Sequence, residues 1–248
     1  MGAILSVERL SKSFSGVHAI EEVDISVEQG EILGLVGPNG SGKTTLFNCI
    51  TGFMDPTRGR IFWRGSEITG QAPDQIARQG VVRTFQQKMV FPNASIRENV
   101  EMAWQGECDD GNDGATFKTC VDILDFLGLA QVHERLASDI PFGHARKLGM
   151  GLALAANPRL LMLDEPAAGL DQEETRELGD LIRRIRDLGI TVWVIEHDMP
   201  LVMSLCERLI VLHAGRKIAE GEPAAVARDP RVISVYLGEK FARSSAAQ

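Results

Sequence analysis

The chain has 248 residues, 44% of them hydrophobic and 24% charged, with a formal net charge of −8. That length holds one large α/β domain, or a core domain with a smaller lobe, of ordinary globular composition. The acidic balance, with no basic stripe, excludes the electrostatic footprint of a nucleic-acid binder and gives no long-range attraction to anionic lipid, so any membrane role must run through protein contacts. The four cysteines, Cys49, Cys108, Cys120 and Cys206, are scattered without a C-x-x-C pair, which points to free thiols in a reducing compartment rather than to zinc or a redox couple. Glu8 and Arg9 interrupt the N-terminal apolar run, so no secretory leader is expected. No stretch approaches the ~18 uninterrupted apolar residues of a spanning helix.

In chain order, Ile4–Leu10 and Val23–Val27 alternate apolar with polar residues, as half-buried antiparallel strands do. Phe14 is placed between them, ahead of the first helix; its ring suits either the core or stacking on a base. Glu31–Val36 is an apolar run leading into a Gly-rich loop, and Lys43–Ile50 reads as a helix ending near Gly52. Short strands are expected at Gly59–Arg64 and Val81–Phe85, with Gln86 at the junction that follows. Ser95 caps a helix that includes Glu98 and runs to about Gln105. The acidic stretch Cys108–Gly114 lacks the D-x-D-x-D-G order of a calcium loop and reads as an exposed loop. Thr116–Leu127 is helical, so residues 87–157 form a mostly helical insert. Strand and helix then alternate: Leu160–Leu163, Asp171–Leu188, Thr191–Ile195, Asp198–Cys206, and a strand pair, Leu209–His213 and Lys217–Ala219, turning at Ala214-Gly215. Such alternation predicts a parallel sheet covered on both faces.

Chemistry concentrates in three places. Gly37-Pro38-Asn39-Gly40-Ser41-Gly42-Lys43-Thr44-Thr45 satisfies G-x-x-x-x-G-K-[ST], after a buried strand and at the start of a helix. Glycines there let backbone N–H groups surround phosphate oxygens, and the helix N-terminus adds partial positive charge. Lys43 reaches the β- and γ-phosphates and Thr44 offers a hydroxyl to Mg²⁺, so ATP with Mg²⁺ is the expected ligand. In Leu160–Glu165, four apolar residues form a buried strand that delivers Asp164, which would hold Mg²⁺ through a water, and Glu165, a base for the attacking water. His197 ends another apolar strand, and parallel strand ends converge on one ligand-binding edge.

These motifs, with Phe47–Phe53, Val81–Gln86, Asp164–Asp171, Ile195–Met199 and Tyr236-Leu237-Gly238, resemble the ATP-binding subunits of ABC transporters over nearly the whole chain. Within that family they are most similar to the ATPases of branched-chain amino acid importers. The resemblance implies a P-loop NTPase core with a mainly parallel sheet, an antiparallel β lobe and a helical subdomain, in one domain over 1–238 with a tail at 239–248. It implies that Phe14 stacks on adenine, that Gln86 touches Mg²⁺ or the attacking water, that Asp171 reaches across a dimer interface and that His197 is the switch histidine. The implied partners are a second ATPase subunit, two multi-spanning permease subunits at the cytoplasmic face of the membrane and, indirectly, a solute-binding protein.

One motif departs from the family pattern. The Leu-Ser-Gly-Gly-Gln signature is represented by Ile140-Pro141-Phe142-Gly143-His144. Pro141 replaces the serine whose hydroxyl would bind the partner's γ-phosphate, and it also lacks a backbone N–H. His144 replaces glutamine, while Gly143 is retained. The expectation is a complete set of cis residues beside a weakened trans surface, hence a non-identical partner. A lipid or lipopolysaccharide export ATPase and a weakly hydrolysing nucleotide-gated regulator are the alternatives.

Overall fold

The computed structural model describes residues 2–84, 90–104 and 116–236. Two sheets organise them. A four-stranded antiparallel sheet has the order β2-β1-β4-β5, from β1 (Ala3–Phe14), β2 (Val17–Glu28), β4 (Arg58–Trp63) and β5 (Ser66–Glu67). A six-stranded sheet has the order β10-β9-β3-β8-β7-β6, from β3 (Ile32–Val36), β6 (Val81–Arg83), β7 (Leu160–Asp164), β8 (Thr191–Ile195), β9 (Arg208–His213) and β10 (Arg216–Gly221). Strands β9, β3, β8, β7 and β6 run parallel; β10 is an antiparallel edge.

Strands β3, β7 and β8 are buried along their whole length. Side chains alternate between the faces of a strand, and the two cores follow that alternation. Ile32, Val36, Leu161, Leu163, Val192 and Val194 join one core with α3 (Ile96–Ala103), α4 (Cys120–Leu127), α5 (Phe142–Ala155), α6 (Gln172–Asp187) and α7 (Met199–Leu205). Leu33, Leu35, Leu160, Met162, Trp193 and Ile195 face the other core, with α1 (Lys43–Ile50), α2 (Pro73–Arg78) and the antiparallel sheet. Phe47 meets Trp193 edge to face there, centroids 5.1 Å apart. A further short helix, α8 (Pro223–Val226), follows β10.

Several elements differ from their sequence reading. β1 and β2 extend well past Ile4–Leu10 and Val23–Val27, because register shifts near Arg9 and Glu22 break the alternation without ending the pairing. Phe14 therefore does not lead into a helix; it ends β1 beside the Ser15-Gly16 turn, opposite Val17. The helix expected from Thr116 starts at Cys120, where Thr119 and Asp122 form a capping box. Helices α2 and α8 have no counterpart in the sequence reading. Gln86, the end of the expected Val81–Phe85 strand, the Cys108–Gly114 stretch and the tail 239–248 lie outside the described residues.

Candidate active site

Parallel pairing decides where the motifs meet. Ile195 of β8 pairs with Leu35 of β3 on one side and with Asp164 of β7 on the other. The residues that follow these three strand ends, the phosphate loop, Glu196-His197 and Glu165, therefore leave the sheet at one edge. Backbone hydrogen bonds stitch that edge together: Glu196 N–H donates to Leu35 O at 3.3 Å and Glu165 N–H to Ile195 O at 2.9 Å.

The loop itself is shaped by close backbone approach. Gly37 has φ +153°, and a Cβ there would lie 2.1 Å from the Leu212 carbonyl oxygen, so no side chain fits. Gly42 has φ +106° and caps α1; a Cβ there would meet the Ala19 carbonyl oxygen of β2 at 2.5 Å. The antiparallel sheet is thus pressed onto the loop. Phe14, 42% exposed, ends β1 at the hairpin turn that leads to Ala19. Lys12 Nζ lies 5.2 Å from the Phe14 ring centroid.

The polar groups fit a phosphate ligand and a divalent cation. Lys43, nearly buried, folds its Nζ onto the carbonyl oxygens of Gly37 at 2.7 Å and Pro38 at 3.0 Å. Ser41 Oγ and Asp164 Oδ1 are buried without a hydrogen-bond partner among the described residues. A buried polar atom is costly unless it is satisfied, and phosphate or metal-bound water would satisfy both. Thr44 and Asn39 are exposed, and Thr45 is half-buried. Glu165, half-buried, has φ 47°, in the left-handed region that a non-glycine residue seldom occupies.

His197 is exposed at the end of β8. The residue before it carries a function that sequence reasoning missed. Glu196 is fully buried. Its carboxylate accepts from Ala167 N–H at 2.7 Å and from His197 N–H at 3.1 Å. Burial pushes its pKa up, opposed by the backbone donors Ala167, His197 and Asp198. Glu196 thereby ties the His197 loop to the turn after Glu165. The sequence signal was present in Glu196-His197-Asp198, but nothing in it distinguishes a buried clamp from an exposed acid.

Residues 140–144, which the resemblance aligns with the family signature, lie at the start of α5. Pro141 is its N-cap, with no side-chain cap hydrogen bond, so the hydroxyl cap of a serine is missing. A Cβ on Gly143 would lie 2.8 Å from Glu174 Oε1, so the start of α5 packs against the first turn of α6. Glu174 and Asp171 form the capping box of α6, Asp171 Oδ1 accepting from Glu173 and Glu174 N–H. Arg146 Nη2 donates to Ala168 O at 2.8 Å and its guanidinium lies 5.1 Å from the Phe142 ring centroid. Arg146 was not read as a site residue from the sequence. His144 Nδ1 is buried without a partner among the described residues.

The family model for ABC transporters matches residues 20–168. The chain belongs to the ABC transporter family. A second model, described as branched-chain amino acid ATP-binding cassette transporter, matches residues 216–242 of this ABC subunit. It is 39% identical to the high-affinity branched-chain amino acid transport ATP-binding protein LivG of Escherichia coli K12, covering 95% of this chain and 98% of the relative. The corresponding protein BraF of Pseudomonas aeruginosa is also 39% identical, with the same coverage. Among solved structures, an ATP-binding cassette of an ABC transporter in its ADP conformation superposes with a TM-score of 0.86 at 31% identity, over 96% of this chain and all of that one. This ABC subunit is accordingly a nucleotide-binding transport ATPase with the cassette fold. Among its described residues, no helix is long and apolar enough to cross a membrane.

Proposed function

We propose that this chain is the ATP-hydrolysing subunit of an importer of branched-chain amino acids, held at the cytoplasmic face of the membrane by two permease subunits that receive solute from a binding protein. The observation that carries this reading is the convergence of the phosphate loop, Asp164-Glu165 and His197 at one sheet edge, in a chain whose residues 216–242 match the branched-chain amino acid cassette model.

In this reading backbone N–H groups of the loop Gly37–Thr45, those of Asn39 and Gly40 among them, cradle the phosphates, while Ser41 N–H closes the turn onto Pro38 O, and Lys43 swings from its carbonyl contacts to the β- and γ-oxygens. Phe14 stacks on adenine. Thr44 and Asp164, with Gln86, hold Mg²⁺, which when bound neutralises charge on the transferring phosphoryl group. Glu165 orients and deprotonates the attacking water, and His197 contacts the γ-phosphate. The cassette spans 1–238, with a helical subdomain at about 87–157.

Two cassettes sandwich ATP, each site joining one chain's phosphate loop to the other's signature. Pro141, Gly143, His144 and Asp171 form this chain's trans surface. Because Pro141 offers neither hydroxyl nor N–H, the working partner is a different subunit with an intact signature.

The test is capture of the chain from membranes, followed by ATPase assay. Recovery with two membrane-spanning subunits and a second cassette, and hydrolysis stimulated by loaded binding protein, is expected. ATP binding without any membrane partner, and no hydrolysis with any subunit, would establish the regulator instead. Stimulation by lipid would establish the exporter.

A further inference from the structure

Arg83 has no part in the roles above. It ends the edge strand β6, paired with Met162 of β7, and its side chain is 4% exposed. Its guanidinium bonds two different elements: Nη1 donates to Asn48 Oδ1 at 2.6 Å and Nη2 to Asp164 Oδ2 at 2.5 Å. The same guanidinium lies 5.5 Å from the centroid of the buried Phe47 ring.

The position of Asn48 gives this bridge its meaning. Asn48 lies one helical turn beyond Thr44 on α1, and residues four apart share a helix face. One planar cation therefore spans from the helix face that carries Thr44 to the strand end that carries Asp164. It engages one oxygen of Asp164, whose side chain is 5% exposed. The other oxygen, Oδ1, has no hydrogen-bond partner among the described residues.

We propose that Arg83 is a positioning residue for the divalent cation: through Asn48 it sets the separation of Thr44 and Asp164, and by holding Oδ2 it leaves Oδ1 as the oxygen offered to the metal or its water. This rests on the ATP-Mg²⁺ reading of the site. Arginine suits the task because its planar fork presents its donors in fixed geometry. A lysine at this position keeps the charge but presents a single nitrogen, which does not reproduce both bonds at fixed angles. Groups that orient a metal ligand contribute about 10- to 100-fold to metal affinity.

The experiment uses the full chain, Arg83→Lys, Arg83→Met and Asn48→Ala, with a non-hydrolysable ATP analogue and Mn²⁺ as the spectroscopic probe. Analogue binding in EDTA is expected to be unchanged, because the phosphate loop is untouched. The Mn²⁺ concentration that half-saturates the nucleotide-loaded chain is expected to rise about tenfold or more in Arg83→Lys and less in Asn48→Ala. With the partner subunit present, kcat falls while KM for ATP holds. Circular dichroism reports folding. If the Arg83 variants do not fold, Asn48→Ala, which keeps the ion pair, decides alone. Mn²⁺ affinity equal to wild type in the folded variants would overturn the proposal. A wild-type chain that binds no nucleotide would overturn the ATP-Mg²⁺ reading and this inference with it.

Discussion

Glu165 occupies a left-handed backbone conformation, φ 47°, immediately after β7. Such a conformation costs about 1–3 kcal/mol in a non-glycine residue and persists only where its surroundings over-determine it. Here the Glu165 N–H is held by Ile195 O. Glu165→Gln, which keeps the shape, is expected to retain ATP binding and to lower the hydrolysis rate of the assembled transporter by about 10²- to 10⁴-fold. Binding by fluorescent nucleotide and single-turnover hydrolysis measure the two effects separately. Glu196 allows a different measurement. Its folded pKa is raised, chiefly by burial, so the folded chain holds that proton to higher pH than the unfolded chain. The stabilising contribution is complete below the ordinary carboxylate range and is lost as pH rises through the raised value. Glu196→Gln should therefore flatten part of the fall in Tm from acidic to neutral pH. Parallel Tm–pH curves for the two proteins would refute the assignment.

At the scale of single elements, the helix start at Ser95 tests the capping argument. Ser95 Oγ accepts from Glu98 N–H at 3.1 Å and Ser95 N–H donates to Glu98 Oε2 at 2.6 Å. The Ser95 N–H bond to the carboxylate, helped by the Ser95 side chain, also lowers the Glu98 pKa. Ser95→Ala is expected to destabilise α3 by about 1 kcal/mol, read as faster hydrogen exchange through Ile96–Ala103. The same capping logic explains which elements were legible. Ser95 announced its helix, and Asp171, read as the first residue of the next long helix, is the N-cap of α6. Helix α2 has Ala72 at its N-cap, without a side-chain hydrogen bond, and only six residues, so it left little trace. Bulged strands were shortened in reading because alternation lapses at Arg9 and Glu22 while the ladder continues. Thr119, rather than Thr116, caps α4 because only Thr119 has an acid three residues on.

At the scale of the whole molecule, the start of α5 and the turn before α6 form one unit. Arg146 holds Ala168 O, a Cβ on Gly169 would approach the Phe142 ring to 3.2 Å, and Gly143 abuts Glu174. In the proposed dimer, a partner's ATP engaging residues 140–144 would press on the loop that follows this chain's own Glu165. With Pro141 as N-cap, that engagement lacks a hydroxyl. A hydrogen bond to a charged group contributes about 1.5–3 kcal/mol. Pro141→Ser is therefore expected to raise the ATPase rate of the isolated chain by about 10- to 100-fold. Brisk turnover by the unmodified chain alone would sink the non-identical-partner reading.

The sequence by itself determined the phosphate loop, the Asp164-Glu165 strand end, the His197 strand end and the family. Each is a local pattern whose chemistry is carried by adjacent residues and by the period of one strand or helix. Only the tertiary structure decided what joins them. Asn48, Arg83 and Asp164 lie far apart along the chain, and Glu196 reaches Ala167 across two strand ends. No periodicity marks an arginine as a bridge or a glutamate as a clamp. Burial makes them so, because a charge removed from water must find its partners wherever the fold brings them.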